Sequence, residues 1–232
     1  MLRAILFDFD GVIIDSEKVH YRAFRQVLLE EGIDLPEDIY YAKYLAMDDK
    51  NCFRAVLEAD GRPVDRQMIL TLVERKSRYY DRAIKDGLII LPGVPEFIHA
   101  AAGRYRLAIG SGALRREIEY ALDRAGLRSA FDVIVSSEDI EHSKPAPDCY
   151  LTVLARLNST PPVPVPPLSA SECVVIEDAF HGITAAKAAG MRCVGITTSY
   201  PAERLNGADL VVSGLDRLAI EQVERLCEER SS

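Results

Sequence analysis

Short apolar runs alternate with longer amphipathic stretches along most of the chain, and this alternation constrains its fold more than any other feature. Six runs rich in Ile, Val and Leu are candidate strands: Ala4–Phe7, Leu107–Ile109, Val133–Val135, Cys173–Ile176, Cys193–Ile196 and Leu210–Val212. Continuous apolar runs are typical of parallel strands, because such strands are buried on both faces. The pattern therefore predicts alternating β and α units around a mostly parallel sheet.

A helical insert interrupts this pattern directly after the first candidate strand. From about Ser16 to Lys85 no comparable strand run occurs, and Val19, Ala23, Phe24, Val27 and Leu28 fall on one face at helical spacing. We therefore expect an α/β core domain formed by residues 1–15 and 87–232, and a helical domain formed by residues 16–86. Linkers near Asp15 and Gly87 would let the insert move as a unit.

Charge and cysteine content exclude several classes of function. The 232 residues include 28 Lys and Arg against 36 Asp and Glu, a net charge of −8, which disfavours nucleic acid as a partner. No apolar run approaches the roughly 20 residues that a membrane span needs, and a secretory signal is also disfavoured. The five cysteines are far apart with no C-x-x-C pair, which favours the cytoplasm over a disulfide framework or zinc ribbon. We expect a cytoplasmic monomer.

Polar residues follow the candidate strands at the points where ligands collect in open α/β sheets. Asp8 and Asp10 follow the first strand, Ser111 follows the second, Lys144 lies in the loop after the third, and Glu177-Asp178 follows the fourth. These groups are predicted to converge on one crevice.

Four carboxylates gathered in one crevice would repel each other strongly without a cation, and oxygen ligands favour Mg²⁺. A phosphoryl substrate fits the remaining groups, because Ser111 and Lys144 could bind its oxygens. One aspartate could then attack phosphorus while the other transfers protons: Asp8 would form an aspartyl-phosphate, and Asp10 would protonate the leaving oxygen and then activate water.

The residues at the strand ends belong to four longer motifs. These are Asp8-Phe9-Asp10-Gly11-Val12-Ile13-Ile14-Asp15-Ser16-Glu17, Ile109-Gly110-Ser111-Gly112, Ser143-Lys144-Pro145-Ala146-Pro147-Asp148 and Val175-Ile176-Glu177-Asp178-Ala179-Phe180-His181-Gly182-Ile183. They resemble the motifs of the haloacid dehalogenase-like phosphatases, specifically the branch with β-phosphoglucomutase and phosphoglycolate phosphatase, and the resemblance covers nearly the whole chain. The resemblance implies an α/β fold, with a doubly wound, Rossmann-like parallel sheet as its core and a helical cap domain inserted after the first strand.

The resemblance also implies roles for individual residues. Asp8 would be the nucleophile and a Mg²⁺ ligand, and Asp10 would be the acid/base and bind the metal through its backbone carbonyl. Glu177 and Asp178 would complete the metal site. The dehalogenases of the same superfamily lack an acid at the position of Asp10, because a halide leaving group needs no proton. Asp10 therefore favours phosphoryl chemistry.

Further residues of the motifs and the cap are candidate substrate contacts. In the second motif, Gly112 is expected beside the substrate. In the cap, His20 resembles a histidine that assists proton handling at a sugar hydroxyl, and Lys50 and Lys76 resemble cationic positions that hold a distal phosphate.

Three functions are compatible with these residues. The first is a Mg²⁺-dependent phosphatase that hydrolyses a small phosphorylated metabolite, such as a sugar phosphate or a phosphoglycolate-like compound, through an aspartyl-phosphate. The alternative is a phosphohexomutase of the β-phosphoglucomutase type, and the third is a phospho-accepting signalling domain. Because water must be controlled around an aspartyl-phosphate, catalysis is expected to require closure of the cap over Asp8.

Overall fold

A six-stranded parallel sheet forms the centre of the protein. The computed structural model describes residues 1–45, 47–87 and 89–228. The strands are β1 (Ala4–Phe7), β2 (Arg106–Gly110), β3 (Val133–Val135), β4 (Cys173–Glu177), β5 (Arg192–Ile196) and β6 (Leu210–Val212). Each strand coincides with a predicted apolar run or extends it by one residue at one end or, in β2, at both ends. The predicted α/β fold is confirmed.

Nine α-helices occur among the described residues. They are α1 (Glu17–Glu30), α2 (Glu37–Lys43), α3 (Asp49–Ala59), α4 (Arg66–Gly87), α5 (Val94–Ala101), α6 (Arg115–Ala125), α7 (Asp148–Leu157), α8 (Phe180–Ala188) and α9 (Ile220–Leu226). Short 3₁₀ turns occur at Arg128–Ala130, Ala170–Glu172, Ala202–Arg204 and Leu215–Arg217. No helix in the described ranges combines the length and apolar character needed to cross a membrane.

The strand order is β3-β2-β1-β4-β5-β6, so the chain winds outward in both directions from β1. In the register of the sheet, Phe7 lies between Ile109 of β2 and Ile176 of β4. The next residue of each strand is Asp8, Gly110 and Glu177, so these three lie side by side where the winding direction switches. Doubly wound sheets bind ligands at this point.

Alternate residues of β1 face opposite sides of the sheet, and helices cover both sides. Ala4 and Leu6 belong to a buried cluster with residues of α7 and α8, including Tyr150, Val153 and Ile183. On the other side, the ring of Phe7 meets Phe97 of α5 edge-on at 6.1 Å. The strand is fully buried, as a continuous apolar run predicts.

The chain divides into two compact units, Met1–Asp15 with Ile89–Ser232 and Ser16–Leu88. The second contains α1 to α4 and has its own apolar core, in which the Phe24 and Phe53 rings lie 4.8 Å apart. Where the chain leaves and re-enters the first unit, Ile14 forms an antiparallel bridge with Ile90. The insert therefore starts and ends at neighbouring points of the α/β unit.

All five cysteines are buried and free, so none forms a disulfide. Burial raises the pKa of Cys173 to about 12. These thiols are small apolar groups of the core and stay protonated.

Candidate active site

Lys144 joins the ends of three neighbouring strands. Its ammonium group donates to Asp8 Oδ1 at 2.8 Å, to the Gly110 carbonyl oxygen at 3.0 Å and to Glu177 Oε1 at 2.7 Å. All three donors of the ammonium are therefore used. The predicted convergence of Asp8, Lys144 and Glu177 thus corresponds to direct contacts.

Asp8, Glu177 and Asp178 form the acidic part of the site. One carboxylate oxygen from each lies within 4.8 Å of the others. Glu177 and Asp178 are 1% and 4% exposed, and Asp8 is 9% exposed. The arrangement places three nearly buried carboxylates beside one ammonium.

Burial and neighbouring charges set the protonation of this group. Burial raises the pKa of Asp8 to about 7, although Lys144 opposes the shift. Burial, followed by the charges of Glu177 and Asp8, raises the pKa of Asp178 well above its usual range. Burial acts in the same direction on Glu177, but the charge and hydrogen bond of Lys144 hold the pKa of Glu177 below its ordinary value. The positive charge of Lys144 is therefore not enough to offset the effect of burial on the pKa of Asp8 and of Asp178.

The other predicted residues of this unit lie close to the same strand ends. Asp10 is half-buried, two residues beyond Asp8, and its charge contributes to the raised pKa of Asp8. Ser111 follows Gly110 directly and is 1% exposed, and its hydroxyl accepts the Ala113 N–H at 3.0 Å. Gly112 is exposed, and a Cβ added there would meet no atom within 4 Å. The space beside Gly112 is open.

The three predicted cap residues lie in the helical unit, and two of them contact each other. Lys76 donates to His20 Nδ1 at 2.6 Å and to the Asp49 oxygens at 2.9 and 3.0 Å. Because an ammonium can only donate, His20 Nδ1 is the acceptor, and its ring proton lies on Nε2. Lys76 is 3% exposed, whereas Lys50, in the first turn of α3, is exposed. The two lysines are therefore in different environments.

Two hydroxyl groups that sequence reasoning missed contact the acidic group. The Tyr150 hydroxyl donates to Glu177 Oε1 at 2.8 Å, and the Ser199 hydroxyl donates to Asp178 Oδ2. The sequence pattern indicates only that Tyr150 is an apolar position of a helix and that Ser199 is a loop residue. No signal in the sequence reveals where either hydroxyl points.

Two glycines allow the acidic side chains to lie against the backbone. Gly11 has φ of +73°, and a Cβ there would lie 1.8 Å from Asp178 Oδ2. A Cβ on Gly182, in the first turn of α8, would lie 1.7 Å from Glu177 Oε1. Both glycines lie inside the predicted motifs. Their membership of these motifs is the sequence signal that could have identified them as functional residues.

Comparison with known proteins identifies the family. Residues 5–196 match the family described as haloacid dehalogenase-like hydrolase. A fructose-1-phosphate phosphatase of Escherichia coli is 32% identical, over 83% of this chain and 95% of that protein. A β-phosphoglucomutase of Bacillus subtilis is 30% identical, over 95% of this chain and 93% of that protein.

Solved structures agree with this assignment. The crystal structure of a β-phosphoglucomutase from Clostridium difficile superposes with a TM-score of 0.84 and 26% identity, over 99% of this chain and 98% of that one. The chain belongs to the haloacid dehalogenase-like hydrolase family and, within it, to the branch of phosphoric monoester hydrolases and β-phosphoglucomutases.

Proposed function

We propose that this protein is a Mg²⁺-dependent phosphatase that hydrolyses a small phosphorylated metabolite through an aspartyl-phosphate on Asp8. A sugar phosphate or a phosphoglycolate-like compound is the expected substrate class. The observation that carries the proposal is the Lys144 ammonium, which lies between Asp8 and Glu177 at the switch point of the sheet. Such a cation can hold a nucleophilic carboxylate in place and stabilise charge on a phosphoryl group.

The donor set fits Mg²⁺. Asp8, Glu177 and Asp178 offer oxygen ligands within 4.8 Å of one another, and Lys144 offsets only one of their three charges. Hard oxygen donors with two uncompensated negative charges suit a hard divalent cation. Asp8, Asp178, Glu177 and the Asp10 carbonyl would hold the ion, which would neutralise charge on the nucleophile and the phosphoryl oxygens.

The protein's own residues account for both chemical steps. The Asp8 carboxylate attacks phosphorus, so a bond from Asp8 to phosphorus forms as the bond to the substrate oxygen breaks, and Asp10 gives its proton to that oxygen. Asp10 then takes a proton from water. The water oxygen attacks phosphorus, and the bond to Asp8 breaks, which releases inorganic phosphate and restores both carboxyl groups. Ser111 binds the phosphoryl oxygens, and the positive charge of Lys144 beside Asp8 stabilises them during both displacements.

The contacts within the helical unit favour hydrolysis over the mutase alternative. A mutase of the expected type needs cations that hold a second phosphate, and Lys76 was one of the two candidates. Its ammonium is buried and bonded to Asp49 and His20. The charge of Lys76 is therefore already paired with Asp49, so Lys50 would have to hold the second phosphate alone.

The test is a substrate panel assayed with Mg²⁺. Sugar monophosphates and phosphoglycolate are supplied in large excess, and hexose 1-phosphates are supplied with and without a hexose bisphosphate primer. We expect multiple-turnover phosphate release from at least one monophosphate, lost on chelation of Mg²⁺ and lost in Asp8→Asn. Primer-dependent isomerisation without net phosphate release would favour the mutase. A single phosphorylation without turnover would indicate a signalling domain. Neither phosphate release nor isomerisation by the wild type would contradict both enzymatic functions.

A further inference from the structure

Tyr150 contacts both charged partners at the centre of the site. It lies on α7 and is fully buried. Its hydroxyl donates to Glu177 Oε1 at 2.8 Å, and its ring centroid lies 4.8 Å from Lys144 Nζ. One side chain thus supplies a hydrogen bond to the acid and an aromatic face to the cation.

Four donors hold the Glu177 carboxylate. Oε1 accepts from Lys144 at 2.7 Å and from Tyr150, while Oε2 accepts the backbone N–H groups of Asp178 at 3.0 Å and Ala179 at 3.1 Å. Because these donors contact both oxygens from different directions, they fix the plane of the carboxylate. A Cβ on Gly182 would overlap Oε1, so the carboxylate occupies the space that a larger residue would need there. The Tyr150 hydroxyl is the only one of these donors that belongs to a neutral side chain.

Lys144 depends on the same arrangement. Its three donors go to Asp8, Gly110 and Glu177, and the Tyr150 ring lies beside it. If the Glu177 carboxylate turned, the bond from Lys144 to Oε1 would lengthen or break, and the ammonium would shift relative to Asp8. The orientation of Glu177 is therefore transmitted to the nucleophile through one cation.

We propose that Tyr150 is a positioning residue, whose hydroxyl orients the Glu177 carboxylate and thereby places Lys144 against Asp8. This inference rests on the proposed function of the site. Groups that orient metal-binding side chains from behind typically change metal affinity or activity by about 10- to 100-fold when they are removed. Tyr150 would act in this way on both the acidic cluster and the lysine.

The test compares Tyr150→Phe with a matched variant, Tyr105→Phe. The first keeps the buried ring and loses only the hydroxyl that bonds Glu177. The second loses a hydroxyl that donates to Glu224, and Tyr105 directly precedes β2, at the opposite end of the strand from Gly110. Mn²⁺ binding in the absence of substrate is measured by electron paramagnetic resonance, alongside kcat, KM and the melting temperature of each protein.

We expect Tyr150→Phe to bind Mn²⁺ about 10- to 100-fold more weakly and to lose kcat by a similar factor, with a smaller change in KM. Tyr105→Phe is expected to match the wild type in Mn²⁺ affinity and kcat. The inference is overturned if Tyr150→Phe binds Mn²⁺ and turns over like the wild type, whatever its melting temperature. Failure of Tyr150→Phe to fold also overturns it, because a positioning role predicts a folded protein with a weakened site.

The wild-type measurements separate this inference from the proposed function. If the wild type neither binds Mn²⁺ nor releases phosphate, the proposed function fails and the inference fails with it. If the wild type does both and the Tyr150→Phe protein does so equally well, only the role of Tyr150 is contradicted.

Discussion

At the scale of single residues, Gly11 controls how closely the loop after β1 approaches Asp178. Its φ of +73° lies in the left-handed region, where a side chain adds strain. The space that a Cβ would need is taken by Asp178 Oδ2 and, at 3.0 Å, by the Ser199 hydroxyl. A larger residue must push Asp178 out of the acidic cluster or displace the loop that carries Asp10.

We predict that Gly11→Ala lowers phosphatase kcat by about 10- to 100-fold, because it displaces a carboxylate of the proposed metal site. The matched variant is Gly103→Ala. Gly103 also has a left-handed φ, of +80°, but no atom lies within 4 Å of its added Cβ. Steady-state kinetics and thermal melting of both variants separate backbone strain from the clash. Equal kcat losses in the two variants would contradict a specific role for the close approach of Gly11 to Asp178.

The charged residues of the site and Ser111 were accessible from the sequence, whereas the Tyr150 and Ser199 hydroxyl groups that bond to the acids were not. Asp8, Lys144 and Glu177 stand at or beyond strand ends, and parallel strands place their carboxyl ends at one edge of the sheet. Tyr150 lies within a helix, and the direction of its hydroxyl depends on how α7 packs against the sheet. The pairing of Lys76 with Asp49 was missed for the same reason, since it joins α3 and α4 through their packing.

At the scale of secondary-structure elements, Asp139 anchors the loop that carries Lys144. Oδ2 accepts from Arg115 of α6 at 2.6 Å and from the Ser136 N–H and hydroxyl, each at 2.9 Å, while Oδ1 accepts from Arg156 of α7 at 2.7 Å. One carboxylate therefore ties the end of β3 to two helices. Burial would raise the pKa of Asp139, but these hydrogen bonds and the Arg115 charge hold it well below its ordinary value.

This shift predicts a pH-dependent contribution to stability. The folded-state pKa of Asp139 lies below its unfolded value near 3.8, so its stabilisation is complete above about pH 5 and is lost as the pH falls through and below 4. We expect Asp139→Asn to lower the free energy of unfolding by about 1–3 kcal/mol at pH 7, with a smaller difference from the wild type at pH 3.

Urea denaturation at both pH values measures this effect. The matched variant is Glu74→Gln, which removes an exposed ion pair with Arg78 and should cost at most about 0.5 kcal/mol. An Asp139→Asn penalty that stays constant between pH 7 and pH 3 would contradict the account.

The elements themselves follow closely from the sequence, and their departures have local causes. Strands β1, β3 and β6 coincide with the apolar runs, while β2 extends to Arg106 and Gly110 because backbone pairing continues past the last apolar side chain. In α1 the predicted apolar face is buried except for Val19, which is half-buried, and Tyr21 joins it. A tyrosine can bury its ring and still satisfy its hydroxyl, here by donating to the Leu35 carbonyl.

At the scale of the whole molecule, the strand order explains how residues more than a hundred positions apart form one site. β1 pairs with β2 on one side and β4 on the other, so the chain's first motif lies between its second and fourth. The alternation of strands and helices predicted the sheet, but apolar patterning does not encode strand order. The strand order, together with the register of the strands, brings Asp8 beside Gly110 and Glu177.

In the proposed reaction, Asp8 carries a phosphoryl group during turnover and Asp10 activates the water that removes it. A substrate with a good leaving group, such as p-nitrophenyl phosphate, does not need a proton from Asp10 in the first step. The Asp10→Ala protein should therefore still be phosphorylated by this substrate. The second step still needs a base, so the phosphorylated enzyme should accumulate.

The decisive measurement is peptide mass spectrometry of acid-quenched Asp10→Ala after incubation with p-nitrophenyl phosphate and Mg²⁺. We expect one added phosphoryl group on the peptide that contains Asp8, and none when Asp8→Asn is combined with Asp10→Ala. A phosphoryl group on another residue, or hydrolysis that persists in the doubly substituted protein, would contradict it.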